Sequence, residues 1–196
     1  MAKIHIKIGS ANWTNELILA TKQLGDGFWT RFTPISSEDL EKLESQINRK
    51  LPDEFKNFYH LIGFGSFEPG NGFYSPKDIV QCLGAPIYFV RGSRIPGSEW
   101  ATEEEHRQLW LSRGVKNPDP DLFTEDVLTL DGVKLYDLLQ FGADGNCCYH
   151  QLYVGPDPAP FRYCLLTDSG TIENRAPSFS YALEEMIERF ISNIQN

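Results

Sequence analysis

The sequence predicts an α+β fold: a single domain with a mostly antiparallel, twisted sheet and helices packed on one side and at the termini. Two patterns predict it. Apolar residues recur at helical spacing through residues 36–62 and again through 179–191. From residue 127 to 175 the period is that of strands, broken by Gly-, Asp- and Asn-rich spacers of hairpin length, so consecutive strands should pair antiparallel. With 196 residues, 41% of them hydrophobic, the chain can bury a core without disulfide staples.

Taken in order, residues 3–8 alternate Ile4, Ile6 and Ile8 with polar residues, the period of a half-buried strand. Residues 16–24 read as a short helix stopped by Gly25-Asp26-Gly27, and Phe28, Trp29 and Phe32 anchor the approach to the next helix. Ser36 suits an N-cap with Asp39 three residues on, Leu40, Leu43 and Ile47 share one face, and Asn48 suits a left-handed stop. Leu51-Pro52-Asp53-Glu54 restarts the chain as a helix with carboxylates at its positive end. Phe55, Phe58, Tyr59 and Ile62 follow at helical spacing until Gly63 and Gly65.

Residues 69–72 read as a loop, and Ser75-Pro76 opens a helix that buries Ile79, Val80 and Leu83 before Gly84. Residues 87–90 look like a strand. Thr102 and Glu105 match a capping box for a helix anchored by Leu109 and Trp110 and ended by Gly114. Residues 117–121 form a loop by composition. Four strands are expected at 135–141, 147–154, 161–166 and 171–175. The closing helix should bury Phe179, Leu183, Met186, Ile187, Phe190 and Ile191.

Two of these stretches resemble the SUKH superfamily, which includes fungal cell-wall-synthesis regulators and many bacterial immunity proteins. The first is the opening pattern Leu43-Glu44, Ile47, Leu51-Pro52, Phe55-Lys56 and Phe58-Tyr59, ending in glycine. It departs from the family at Asn48, where Gly is frequent, and at Ile62-Gly63, where Asn-Gly is frequent. The second is the order of an acidic-glycine turn (Asp144-Gly145-Asn146), a strand ending at Asp168, and a closing Ala176-Pro177-Ser178-Phe179 helix start. The resemblance spans residues 34–90 and 135–196. Residues 1–34 then form an N-terminal extension and residues 91–126 an insertion, within one domain of residues 1–196.

Composition narrows the function. The chain holds 27 acids and 18 bases, a net charge of −9, which disfavours direct nucleic-acid binding and anionic membranes and permits a basic protein partner. Plain solubility accounts for the same balance. No apolar run reaches the roughly 18 residues of a membrane span, and residues 1–13 lack a signal-peptide core, so a cytoplasmic protein is expected. Cys82, Cys147, Cys148 and Cys164 show no disulfide framework and read as reduced thiols.

Few residues are equipped for chemistry. Cys148 and His150 lie two apart on a strand and share a face, as a nucleophile–base pair or two metal ligands would. No third group accompanies them, and a core cysteine beside a surface histidine explains the pair as well. Asp144-Gly145-Asn146 and Asp168-Ser169-Gly170 are accounted for as turns, because the glutamate of a calcium loop is missing. Glu103, Glu104, Glu105 and His106 diverge around a helix by about 100° per residue and do not converge. No catalytic, cofactor or metal residue is therefore assigned.

A partner surface is expected in the insertion, at Glu99, Trp100, Glu103, Glu104, Glu105, Asp119 and Asp121, where acids surround aromatics. The resemblance implies a non-enzymatic protein-binding module, an immunity protein that neutralises a cognate bacterial toxin by stoichiometric binding. A basic toxin domain would suit the acidic surface. A regulatory scaffold of the cell-wall-synthesis type is the alternative, and a Cys/His enzyme a third.

Overall fold

Turn residues set the sheet. The computed structural model describes residues 6–25, 28–68, 71–82, 129–130, 133–168 and 170–194. Six strands are β1 (Gly65–Glu68), β2 (Asn71–Phe73), β5 (Leu138–Asp144), β6 (Cys148–Tyr153), β7 (Tyr163–Thr167) and β8 (Ile172–Ala176). They form one antiparallel sheet in the order β1-β2-β5-β6-β7-β8. A separate two-stranded ribbon joins β3 (Thr129–Leu130) to β4 (Val133–Lys134). The four C-terminal strands and their antiparallel order are as the sequence predicts. The first of them starts later, because residues Leu135–Asp137 form a 3-10 turn.

Five helices are described: α1 (Trp13–Ala20), α2 (Ser37–Ile47), α3 (Asp53–Leu61), α4 (Pro76–Gln81) and α5 (Phe179–Ile194). Ser36 and Ser75 cap α2 and α4, accepting from the main-chain N–H of Asp39 at 3.1 Å and of Asp78 at 3.3 Å. Asn48 ends α2 at φ 52°, in the left-handed region. Pro52 stands one place before α3 as its N-cap instead of within its first turn. Gly63, at φ +97°, lets the chain leave α3 against residues 33 and 34; a Cβ there would lie 1.8 Å from the Thr33 carbonyl oxygen. That contact allows the bridge between Thr33 and Phe64.

The main core lies between the helices and one sheet face. Phe55, Phe58 and Tyr59 of α3 are fully buried. Phe55 meets Phe141 and Phe179 with ring centroids 5.3 and 5.5 Å apart, and Phe58 meets Phe73 at 5.5 Å. The Tyr59 hydroxyl reaches the carbonyls of Tyr74 at 3.2 Å and Phe141 at 3.3 Å. The α5 face is as expected: Phe179, Leu183, Met186, Ile187 and Ile191 are buried and Phe190 packs against the same cluster.

Residues before the second helix differ from expectation in detail. Ile6 and Ile8 are buried, as alternation requires, yet residues 6–8 are not a strand. Side chains of α5 capture their main-chain donors: Glu184 accepts from Ile6 N–H, and Ser180 Oγ accepts from Ile8 N–H at 3.0 Å. Helix α1 begins at Trp13, earlier than predicted, and gives way after Thr21 to a 3-10 turn over Lys22–Leu24. Phe28, Trp29 and Phe32 do anchor this segment, each ring lying within 6 Å of Phe67. The expected loop at 69–72 is partly strand, since Asn71–Phe73 pairs with both β1 and β5. The predicted strand at 87–90, Leu83, Gly84 and the whole insertion 91–126 lie outside the described residues.

The opposite sheet face carries a second, smaller cluster. Side chains alternate, so Leu138 and Gln140 of β5, Tyr149, Gln151 and Tyr153 of β6, and Cys164 and Leu166 of β7 share that face. Leu138, Tyr153, Cys164 and Leu166 pack there with Val133, Leu135 and Phe161. No residue of α1–α5 belongs to this cluster.

Candidate functional site

Cys148 and His150 share the helix-side face of β6, but the core swallows the histidine. Strand β5 bulges at Phe141, which places Gly142 opposite His150. A Cβ on Gly142 would lie 3.0 Å from the His150 ring, so the glycine makes room for the imidazole. His150 is 3% exposed and packs near Phe73, Phe141 and Tyr163. Its Nδ1 and the Tyr163 hydroxyl are 2.7 Å apart. Burial lowers its pKa to about 3, and the charge of Arg189 acts the same way, so the ring stays neutral.

The cysteine is equally unsuited to chemistry. Burial, and after it the carboxylates of Asp144, Glu173 and Asp168, together push the Cys148 thiol up to about 11. At neutral pH it is a thiol and not the nucleophilic thiolate. The expected arrangement of a core cysteine beside a surface histidine is thus reversed: the histidine is the core residue and Cys148 is half-buried.

The two turns behave as turns. Asp144 Oδ1 accepts from the N–H of Asn146 at 2.9 Å and of Cys148 at 3.1 Å, while Gly145 and Cys147 take positive φ of 79° and 59°. Gly170, at φ 75°, donates to the Thr167 carbonyl at 3.0 Å. Among the described residues no group of three or more His, Cys, Asp or Glu side chains is placed to hold a metal ion.

A groove of about 880 Å³ opens between α2 and α3. Its lining includes Glu44, a carboxylate that sequence reasoning passed over. The signal was present, since Glu44 follows Leu40 by four residues and so falls on the buried face of α2. Glu44 is 6% exposed. It accepts from Leu51 N–H at 2.9 Å and meets Lys50 at 2.6 Å and Lys56 at 3.7 Å. Burial raises its pKa, but the hydrogen bonds from Lys50 and Leu51 and the two lysine charges outweigh that and hold it below the ordinary glutamate value. Glu44 therefore ties the elbow between the two opening helices. Around the groove Arg49, Lys50 and Lys56 face Glu41, Glu44, Asp53 and Asp137, the last two pairing with Lys56 at 3.0 Å and Arg49 at 3.6 Å. Each of these bases is thus paired with a carboxylate, and the groove leaves none of the three to hold an anion.

The residues assigned to a partner surface, Glu99, Trp100, Glu103, Glu104, Glu105, Asp119 and Asp121, lie outside the described residues. No helix among those described is long and apolar enough to cross a membrane.

An antiparallel sheet backed by helices on one face defines the class, an α+β domain. Residues 34–185 match the model of the SMI1 / KNR4 family (SUKH-1), and the chain belongs to that family. The match runs from the start of the α2 segment into α5 and takes in both motif patterns, at residues 43–63 and 144–179. No curated protein matches the chain.

Proposed function

We propose that this chain is a non-enzymatic protein-binding module, an immunity protein that neutralises a cognate bacterial toxin by stoichiometric binding. The family match over residues 34–185 carries this reading, because membership implies protein–protein contact. The buried, neutral His150 and the protonated Cys148 support it, since the pair best placed for nucleophilic chemistry is in the wrong state for it. The acidic insertion, with Glu99, Trp100, Glu103, Glu104, Glu105, Asp119 and Asp121, supplies the surface that meets a basic toxin domain in the cytoplasm. A net charge of −9 favours fast encounter with such a domain.

Co-expression with a toxin domain, should a neighbouring gene encode one, tests this. The chain should restore growth, and Cys148→Ser should protect as well as the wild type. The association rate should fall steeply as salt rises, because exposed charges are screened beyond about 8 Å at physiological ionic strength. Absence of protection with both proteins folded would end the assignment to that toxin. Capture of several unrelated proteins in place of one would favour the regulatory scaffold.

A further inference from the structure

The groove of about 880 Å³ between α2 and α3 holds acceptors that the fold itself does not use. Ser37, Glu41, Ser45 and Asn48 line one wall as a stripe of α2 and its cap, and Asn57 and His60 line the other from α3. All six are exposed. The bases at the elbow are committed: Lys50 to Glu44, Lys56 to Asp53 and Glu44, and Arg49 to Asp137. Glu41 is not. Among the described residues it meets no base and makes no hydrogen bond. His60 Nδ1 lies 3.0 Å from the Ile35 carbonyl oxygen, which only accepts, so Nδ1 carries a proton and donates. In the neutral ring that bond leaves Nε2 as an acceptor.

We propose that this groove is a contact surface for a basic segment of a protein partner, seating an arginine or lysine side chain between the two helices with its charged head on Glu41. Charge selects the ligand. A cation finds an unpaired carboxylate, whereas an anion finds no Lys or Arg that is not already held by an acid. A guanidinium has donors to spare for His60 Nε2 as well. Size selects a stretch of chain over a bare ion, since the groove has the volume that holds a molecule of many atoms. Among the described residues no three His, Cys, Asp or Glu side chains are placed to hold a metal. The hydroxyls of Ser37 and Ser45 and the carboxamides of Asn48 and Asn57 carry both donors and acceptors, as the main chain of a bound segment requires. Because the lining is exposed, nothing has to move for a partner to enter. The assignment rests on the protein-binding reading above and adds a contact outside the insertion.

Two titrations test it. In the first, the capped peptide Gly-Arg-Gly-Arg-Gly and its counterpart Gly-Glu-Gly-Glu-Gly are added to the full chain and followed amide by amide by nuclear magnetic resonance. The arginine peptide should shift residues 37–48 and 56–60, the glutamate peptide should not, and Glu41→Gln should abolish the effect. Shifts spread over the whole acidic surface, or unaltered in Glu41→Gln, would overturn the site. The second measures affinity for the toxin domain of the rescue experiment. Glu41→Gln should weaken it by about tenfold, as losing one charge-assisted hydrogen bond implies. Glu16→Gln, which removes the same charge from α1 outside the groove, should leave it unchanged. Both positions are exposed, so both variants fold. Equal affinity of Glu41→Gln and the wild type would overturn the site too. If the wild type does not bind that toxin domain, the immunity reading fails, and the peptide titration alone decides the groove.

Discussion

A histidine that never charges makes a stability sensor of the acid range. His150 titrates near pH 3 in the folded chain and near its ordinary 6.5 when unfolded. Between those values the unfolded chain binds a proton that the folded one refuses, so stability falls as pH drops from 6.5, by about 1.4 kcal/mol per pH unit at full effect. Above 6.5 the group contributes no pH dependence. Glu44 acts lower: its folded pKa lies below the ordinary 4.5, so its contribution is lost only as pH falls beneath that value. Urea unfolding between pH 6.5 and 4.5 should therefore show a sloping stability that His150→Gln flattens, and an unchanged slope would refute the buried neutral ring. Strand parity made it legible that residues 148 and 150 share a face. Which of them the core would take was not legible, because that depends on the Phe141 bulge and on Gly142 across the sheet.

Caps and periodic faces were the most legible elements. Ser36, Asn48 and Ser75 act as their types predict, because capping is decided within three or four residues of chain. Asn48→Gly should leave stability within a few tenths of a kcal/mol of the wild type, whereas Asn48→Val should cost about 1–2 kcal/mol for a left-handed β-branched residue. Equal costs for both in chemical denaturation would contradict the cap geometry. The β1–β2 hairpin was illegible. Its strands are three and four residues long and rich in Gly, Ser and Asn, and they exist because β5 supplies the neighbouring edge. The alternation at residues 6–8 correctly marked burial and misled on structure, because the acceptors for those N–H groups are side chains of a helix far along the chain.

At the scale of the molecule, one core cluster runs from Ile6 to Ile191. The segment ahead of the family match is built into it: Ile6, Ile8, Trp13, Leu17 and Phe32 are all buried beside the aromatic residues of α3. The motif at residues 43–63 thus identifies a family fold, and its aromatic face is consumed in packing. The partner surface proposed above, in the acidic insertion, is separate from that motif in sequence. The central claim is stoichiometric neutralisation, and calorimetric titration of a candidate toxin domain from a neighbouring gene tests it most directly. The account predicts saturation at one chain per toxin domain, with toxin activity lost at the same ratio. No binding between the two folded proteins, or a toxin inactivated by far less than an equal amount of this chain, would contradict it.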